Sequence, residues 1–96
     1  MPAYVIAYLR APDLEADELL EYRAANTPLV ERHGGRFIVR GGRIDPLEGD
    51  APDRVIVLEF PDASAARAWY DDPDYQAIVG LRQSASDTDI LVVEGA

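Results

Sequence analysis

The segment from Arg36 to Phe60 (RFIVRGGRIDPLEGDAPDRVIVLEF) contains two short apolar runs separated by a polar loop. The runs, Arg36–Arg40 and Arg54–Phe60, are rich in Ile, Val and Phe, which favour β-strands. The connection over residues 41–53 holds glycines, prolines and acidic residues and is long for a hairpin. The pattern therefore predicts two consecutive strands that pair as neighbours.

The flanks of this segment predict one helical region on each side, followed outward by one strand. We expect, in chain order, a strand (4–10), a helix (13–33, kinked at Pro28), the two strands above, a helical region (62–70 and 73–84) and a strand (89–94). The order β-α-β-β-α-β predicts an α+β, ferredoxin-like sandwich with a four-stranded antiparallel sheet and helices on one face. Ninety-six residues correspond to a single domain, residues 1–96.

Two glycine pairs in HGGRFIVRGG, residues 33–42, resemble a phosphate-binding loop at first sight. In such a loop the glycines lie between a strand and the start of a helix. Here the order is helix, glycines, strand, glycines and loop. We therefore predict that Gly34 ends the first helix in a left-handed conformation and that Gly41-Gly42 opens the loop.

Composition restricts the possible functions. The net charge is −9, and all nine basic residues are arginine, so we expect no nucleic-acid partner and no Schiff-base chemistry. With no cysteine and one histidine, we expect no disulfide, no metal site and no cofactor. The apolar N-terminal stretch is too short to span a membrane, and a cytoplasmic location is the expectation.

Strand alternation divides the predicted sheet into two faces. One set of positions is entirely apolar and is expected to pack on the helices: Val5, Ala7, Leu9, Phe37, Val39, Ile56, Leu58, Phe60, Leu91 and Val93. The other set is mixed: Tyr4, Ile6, Tyr8, Arg10, Arg36, Ile38, Arg40, Val55, Val57, Glu59, Ile90, Val92 and Glu94. An exposed face this apolar indicates an interface or a ligand groove. We predict a homodimer formed through this face, with a cavity between the sheets or between sheet and helices.

The sequence resembles the family known as domain of unknown function 1330, within the dimeric α+β barrel superfamily. The similarity covers Tyr4 to Gly95, and its most specific parts are GGR at 34–36, RG at 40–41, EFP at 59–61, AWY at 68–70 and PDYQ at 73–76. The resemblance implies a ferredoxin-like subunit that dimerises through its sheet. Related families in the superfamily include cofactor-independent monooxygenases, haem-degrading enzymes and isomerases of small molecules.

Two candidate sites combine charge with the expected apolar surroundings. Arg40 and Glu59 are expected on the mixed face near Tyr8, where Arg40 either binds a ligand carboxylate or pairs with Glu59 or the partner subunit. His33 follows Tyr22 and Asn26 at helical spacing, so it is either an acid/base group over a cavity or a histidine that stabilises the helix C-terminus.

The second helical region contributes further candidates. Trp69 is expected in the core or in a pocket wall, and Tyr75 is placed to direct a hydroxyl into a cavity. Arg82 either joins that site or covers apolar surface with its stem. The acidic residues around Pro73 are expected to cap a helix rather than bind metal. Two functions follow: a small enzyme acting on an aromatic or acidic molecule, or a non-catalytic ligand-binding or structural dimer.

Overall fold

The computed structural model describes residues 1–96 as one antiparallel sheet covered by helices on one side. The elements are β1 (Ala3–Arg10), α1 (Asp17–Arg32), β2 (Arg36–Arg40), β3 (Arg54–Phe60), α2 (Ala63–Asp71), α3 (Pro73–Gln76), α4 (Val79–Ala85) and β4 (Asp87–Glu94). The strands lie in the sheet in the order β2-β3-β1-β4, and the predicted α+β, ferredoxin-like fold is confirmed.

The helix boundaries differ from expectation in two places. Helix α1 begins at Asp17, because the preceding turn is held by other bonds, including Asp13 N–H to the carbonyl of Ala85 at 2.9 Å. The helical region after Pro73 is divided into α3 and α4 at Ala77 and Ile78. Gly34 has a φ of +79°, as predicted for a residue that ends a helix.

The core lies between the sheet and the helices. Its largest fully buried side chains are Trp69, Tyr75 and Phe60, and Trp69 packs against both of the others. The Asp62 side chain caps α2 by accepting the Ala65 N–H at 2.7 Å, and Asp72 caps α3 through the Asp74 N–H at 2.9 Å. These caps fix the direction in which α2 and α3 present their aromatic side chains to the core.

A β-bulge in β2 changes which side chains reach each face of the sheet. Phe37 pairs with Leu58, but the next paired residue is Val39, opposite Val57, so Ile38 is an extra residue in the strand. Arg40 then pairs with Ile56, which lies on the helix-covered face. The predicted faces of Val39 and Arg40 were therefore wrong, because a bulge shifts the alternation by one residue.

The faces predicted for β4 were also wrong. Ile90 pairs with Ala7 and Val92 with Val5, so both lie on the helix-covered face. Leu91 and Val93 pair with Ile6 and Tyr4 and lie on the opposite face. The run ILVV has no polar residue to mark its alternation, and the register with β1 decides its orientation.

The side of the sheet without helices, called the open face here, is apolar along its centre. Pairing places these residues on it: Tyr4, Ile6, Tyr8, Arg36, Val39, Val55, Val57, Glu59, Asp89, Leu91 and Val93. Leu91 and Val93 are each 43% exposed, and Val39 is 40% exposed. An apolar face of this extent usually marks an interface.

Candidate functional site

A cavity of about 390 Å³ lies between α1 and the helix-covered face of the sheet. Helix α1 packs along α4 and touches α2 and α3, and the strands beneath it contribute small or medium side chains such as Ala7. Thirteen of the nineteen lining residues are hydrophobic. The lining consists of Val5, Ala7, Leu9, Leu14, Leu19, Leu20, Tyr22, Arg23, Ala24, Asn26, Thr27, Phe37, Arg40, Arg54, Ile56, Leu58, Trp69, Arg82 and Ile90.

The inner end of the cavity is built from buried polar groups that bond to one another. The Trp69 indole N–H donates to the Asn26 side-chain oxygen at 2.9 Å. The hydroxyls of Tyr22 and Tyr75 share a hydrogen bond of 2.8 Å. Burial raises the pKa of the Tyr22 phenol well above its ordinary value, and the adjacent Tyr75 acts in the same direction. Both pairs hold α1 to the α2–α3 region and keep this end of the cavity fixed.

Arg82 also lies at the inner end, and only 5% of it is exposed. Its guanidinium carbon is 5.8 Å from the centre of the Tyr22 ring. Its Nε has no hydrogen-bond partner, and Arg82 belongs to none of the ion pairs of the chain. A buried cation without a counterion is costly, and such a group in a native protein requires an explanation.

The mouth of the cavity is marked by lining residues that remain accessible, including Leu14 and Leu20. Arg40 lies here with its guanidinium carbon 3.6 Å from the centre of the Phe37 ring, a cation–π contact. Arg54 lies beside it and donates to the Arg40 carbonyl at 3.4 Å. Burial, together with the charges of Arg23 and Arg40, lowers the pKa of Arg54.

Gly41 gives Arg54 its position. Gly41 has a φ of +71°, and a Cβ at this residue would overlap the Arg54 guanidinium. The Gly41 N–H also bonds to the Val55 carbonyl at 3.0 Å, which fixes the turn next to that guanidinium. The glycine that was expected only to open a loop therefore also makes room for a cavity arginine.

The structure brings five of the predicted site residues to the cavity wall: Tyr22, Asn26, Arg40, Trp69 and Arg82. Tyr75 lies behind the wall and reaches it through Tyr22. Tyr8 and Glu59 point to the open face, and Glu59 pairs with Arg36 at 2.9 Å instead of with Arg40. The predicted grouping of Tyr8, Arg40 and Glu59 was therefore wrong, because the bulge at Ile38 separates Arg40 from the other two.

His33 lies outside the cavity lining. It caps the C-terminus of α1, and its Nε2 is 2.8 Å from the Asp72 carboxylate. Hydrogen bonds from His33 and then from the Asp74 N–H hold the pKa of Asp72 below its ordinary value of 3.8. The position of His33 at the end of α1 fits the interpretation that it stabilises the helix C-terminus, and its acid/base role stays a prediction.

Sequence reasoning did not identify Arg23 and Arg54 as cavity residues. Arg54 is the first residue of β3 and pairs with Leu9, which places it on the helix-covered face. Strand alternation from Ile56 already predicts this side, so the signal was present in the sequence. No group of three or more His, Asp or Glu side chains is placed to bind a metal ion. None of the helices combines the length and apolar character needed to cross a bilayer.

The comparisons identify a family and a fold. The family model described as "Domain of unknown function (DUF1330)" matches residues 2–96. No curated protein matches the chain at a significant level.

Three solved structures illustrate the similarity of fold. A protein of unknown function from Rhodopseudomonas palustris is 24% identical with a TM-score of 0.76, covering 99% of this chain and 82% of that one. A dimeric ferredoxin-like protein of unknown function from Jannaschia sp. CCS1 is 18% identical with a TM-score of 0.77, covering 99% and 100%. SnoaB, a cofactor-independent oxygenase from Streptomyces nogalater, is 12% identical with a TM-score of 0.64, covering 98% and 92%.

Proposed function

Because the chain belongs to the DUF1330 family, whose description assigns no activity, we propose a function from its geometry. The protein is a homodimer that binds a small, largely apolar molecule of aromatic or acidic character in the cavity beneath α1. The observation that carries this proposal is the cavity itself, with its largely apolar wall and few polar groups.

The size and lining of the cavity favour a small organic ligand. Its volume of about 390 Å³ lies within the range of ligand pockets, roughly 300–1,000 Å³. Such pockets are mostly apolar with a few polar groups that orient the ligand, and the wall beneath α1 has this composition. Ala7 on the central strand and Ala24 on α1 leave the space that a larger side chain would fill.

The open face supports a second copy of the chain as the partner. Its apolar centre, formed by Ile6, Val57 and Leu91, would otherwise remain in water. The similar proteins from Jannaschia sp. CCS1 and Thermobifida fusca are described as dimeric. We expect native mass spectrometry to give twice the 10.6 kDa of one chain. Ile6→Arg should yield monomer, whereas Leu47→Arg, on the exposed loop, should stay dimeric.

An enzyme that uses no cofactor is the second candidate function. The hydrogen-bonded hydroxyls of Tyr22, which lines the cavity, and Tyr75 behind it favour this function, because they hold a proton next to the ligand space. SnoaB, described as a cofactor-independent oxygenase, has the same fold. The cavity wall contains no histidine and no carboxylate, so binding without turnover is the simpler proposal.

A thermal-shift screen of small aromatic and acidic molecules tests the proposal. We expect ligands that raise the melting temperature of the natural chain and not that of Ala7→Leu, which fills the cavity floor. Ala68→Leu, at an exposed position of α2, is the matched control and should respond like the natural chain. Mass spectrometry of each ligand after incubation separates binding from turnover. Equal responses of Ala7→Leu and the natural chain would contradict binding in this cavity.

A further inference from the structure

The arginines of the chain fall into two groups according to what lies opposite them. Arg10, Arg32, Arg36 and Arg67 each form an ion pair with an aspartate or glutamate within 3.2 Å. The cavity arginines, Arg23, Arg40, Arg54 and Arg82, form none. Arg43, in the exposed loop, is the remaining one.

Carboxylates are plentiful in the chain and missing from the cavity. The protein has eighteen acidic residues and a net charge of −9, yet none of the nineteen lining residues is acidic. Four of the nine arginines line the same wall. The cavity is therefore a positive region inside a negative protein, and it attracts anions of small size.

Arg82 has the strongest requirement for an anion. The arginines at the mouth are in contact with water, which solvates their charge, whereas Arg82 is 5% exposed and its Nε is unpartnered. The Tyr22 ring lies beside it, and the Tyr22 hydroxyl shares a hydrogen bond with Tyr75. Arg82 acts to lower the pKa of that phenol, but burial keeps the pKa well above its ordinary value, so Tyr22 is a neutral neighbour and not a counterion. The planar guanidinium is suited to bind a carboxylate through two parallel hydrogen bonds.

We propose that the natural ligand is an amphipathic monocarboxylate whose carboxylate pairs with Arg82 at the inner end of the cavity. This inference rests on the proposed function and names the chemical class of its ligand. One buried guanidinium balances one negative charge, whereas a phosphate monoester carries about −1.5 to −2 and would leave charge uncompensated there. The apolar body then extends along Leu19 and Ile56 toward the mouth, where the other arginines draw the anion in.

Calorimetric titration with matched pairs of ligands tests this assignment. The probes are phenylalkanoates from the acetate to the pentanoate, each beside its neutral primary amide, which has nearly the same shape. For the natural chain we expect the best carboxylate to bind at least about 10-fold more tightly than its amide. Arg82→Gln should weaken the carboxylate about 10- to 100-fold and leave the amide within about twofold. Arg67→Gln removes the same charge at the surface and should change neither.

A spectroscopic measurement keeps the test independent of whether the variants fold well. In the natural chain, the ¹H–¹⁵N signal of the Arg82 Nε, assigned by its absence in Arg82→Gln, should shift with the carboxylate and not with the amide. The anion assignment would be overturned if the amides bound as tightly as the carboxylates, or if Arg82→Gln left the affinity for the carboxylates unchanged. Either result would leave the cavity proposal intact. If neither the carboxylates nor the amides bind the natural chain, both the cavity proposal and the assignment of a carboxylate ligand are contradicted.

Discussion

The outer surface and the cavity use the same residue, arginine, in opposite ways. On the surface, Arg36 contacts Glu59 and Arg67 contacts Asp71, with both partners supplied by the chain. In the cavity, Arg82 is buried without a counterion in a protein that has twice as many acidic as basic residues. The difference shows that the lack of a partner in the cavity is a local property and not a shortage of carboxylates. Exposed pairs of this kind contribute about 0–1 kcal/mol, so the energetically important arginine is the unpaired one.

The first test of the contrast between surface and cavity arginines removes the buried charge of Arg82. Replacing Arg82 with Met keeps an unbranched apolar stem and eliminates a cation that lacks a partner. We expect the unliganded protein to gain about 2 kcal/mol in free energy of unfolding, since apolar replacement of buried charges is often stabilising by about 1–4 kcal/mol. Urea denaturation measures this, with Arg67→Met as the surface control, expected to change stability by less than about 0.5 kcal/mol. A loss of stability in Arg82→Met would show that the guanidinium is satisfied without ligand.

The second test moves the Arg54 guanidinium without removing its charge. Gly41→Ala forces a side chain onto a left-handed residue and into the Arg54 guanidinium. Gly49→Ala has a similar φ, +73°, but open space around its Cβ, so it isolates the backbone effect of about 1 kcal/mol. We expect Gly41→Ala to lose about 1 kcal/mol more free energy of unfolding than Gly49→Ala does. Equal losses in urea denaturation would mean that Arg54 moves aside freely.

The third and smallest effect concerns the surface group around Asp72. The folded pKa of Asp72 is depressed, mainly by His33, so its contribution to stability is complete above the unfolded value of 3.8. That contribution is lost as the pH falls from 3.8 through the folded pKa. We expect Asp72→Asn to be less stable than the natural chain at pH 6 and to approach it as the pH falls below 3.8. Denaturation curves from pH 2.5 to 6 measure the difference; a constant difference would contradict the linkage.

The strands at the centre of the chain were predictable because their ends are chemically marked. Gly35 precedes β2, Gly41 follows it, and Pro61 follows β3, so the bounds Arg36–Arg40 and Arg54–Phe60 agree with the prediction. The start of α1 was less predictable. Its N-cap, Ala16, makes no side-chain bond, and the acidic residues from Asp13 onward suit a helix and a turn equally.

The cavity was only partly predictable. Tyr22, Asn26 and Arg82 could be proposed from helical spacing, and Arg40 from its strand. The face that Arg40 occupies depends on the bulge at Ile38. The sequence RFIVR does not predict this bulge, because the three residues between its arginines are all apolar and each suits either face of the sheet. The absence of carboxylates from the wall arises where seven separate elements meet, and no local sequence pattern encodes it.

The extra residue at Ile38 determines on which face of the sheet the charge of Arg40 lies. If β2 kept Ile38 but ran without the bulge, Ile38 would pair with Val57 and Val39 with Ile56, and Val39 and Arg40 would exchange sides. The cavity mouth would then lose a cation, and the surface on which we propose that two subunits meet would acquire one. Ligand capture and subunit assembly, which share no side chain, thus both depend on one local irregularity of the backbone.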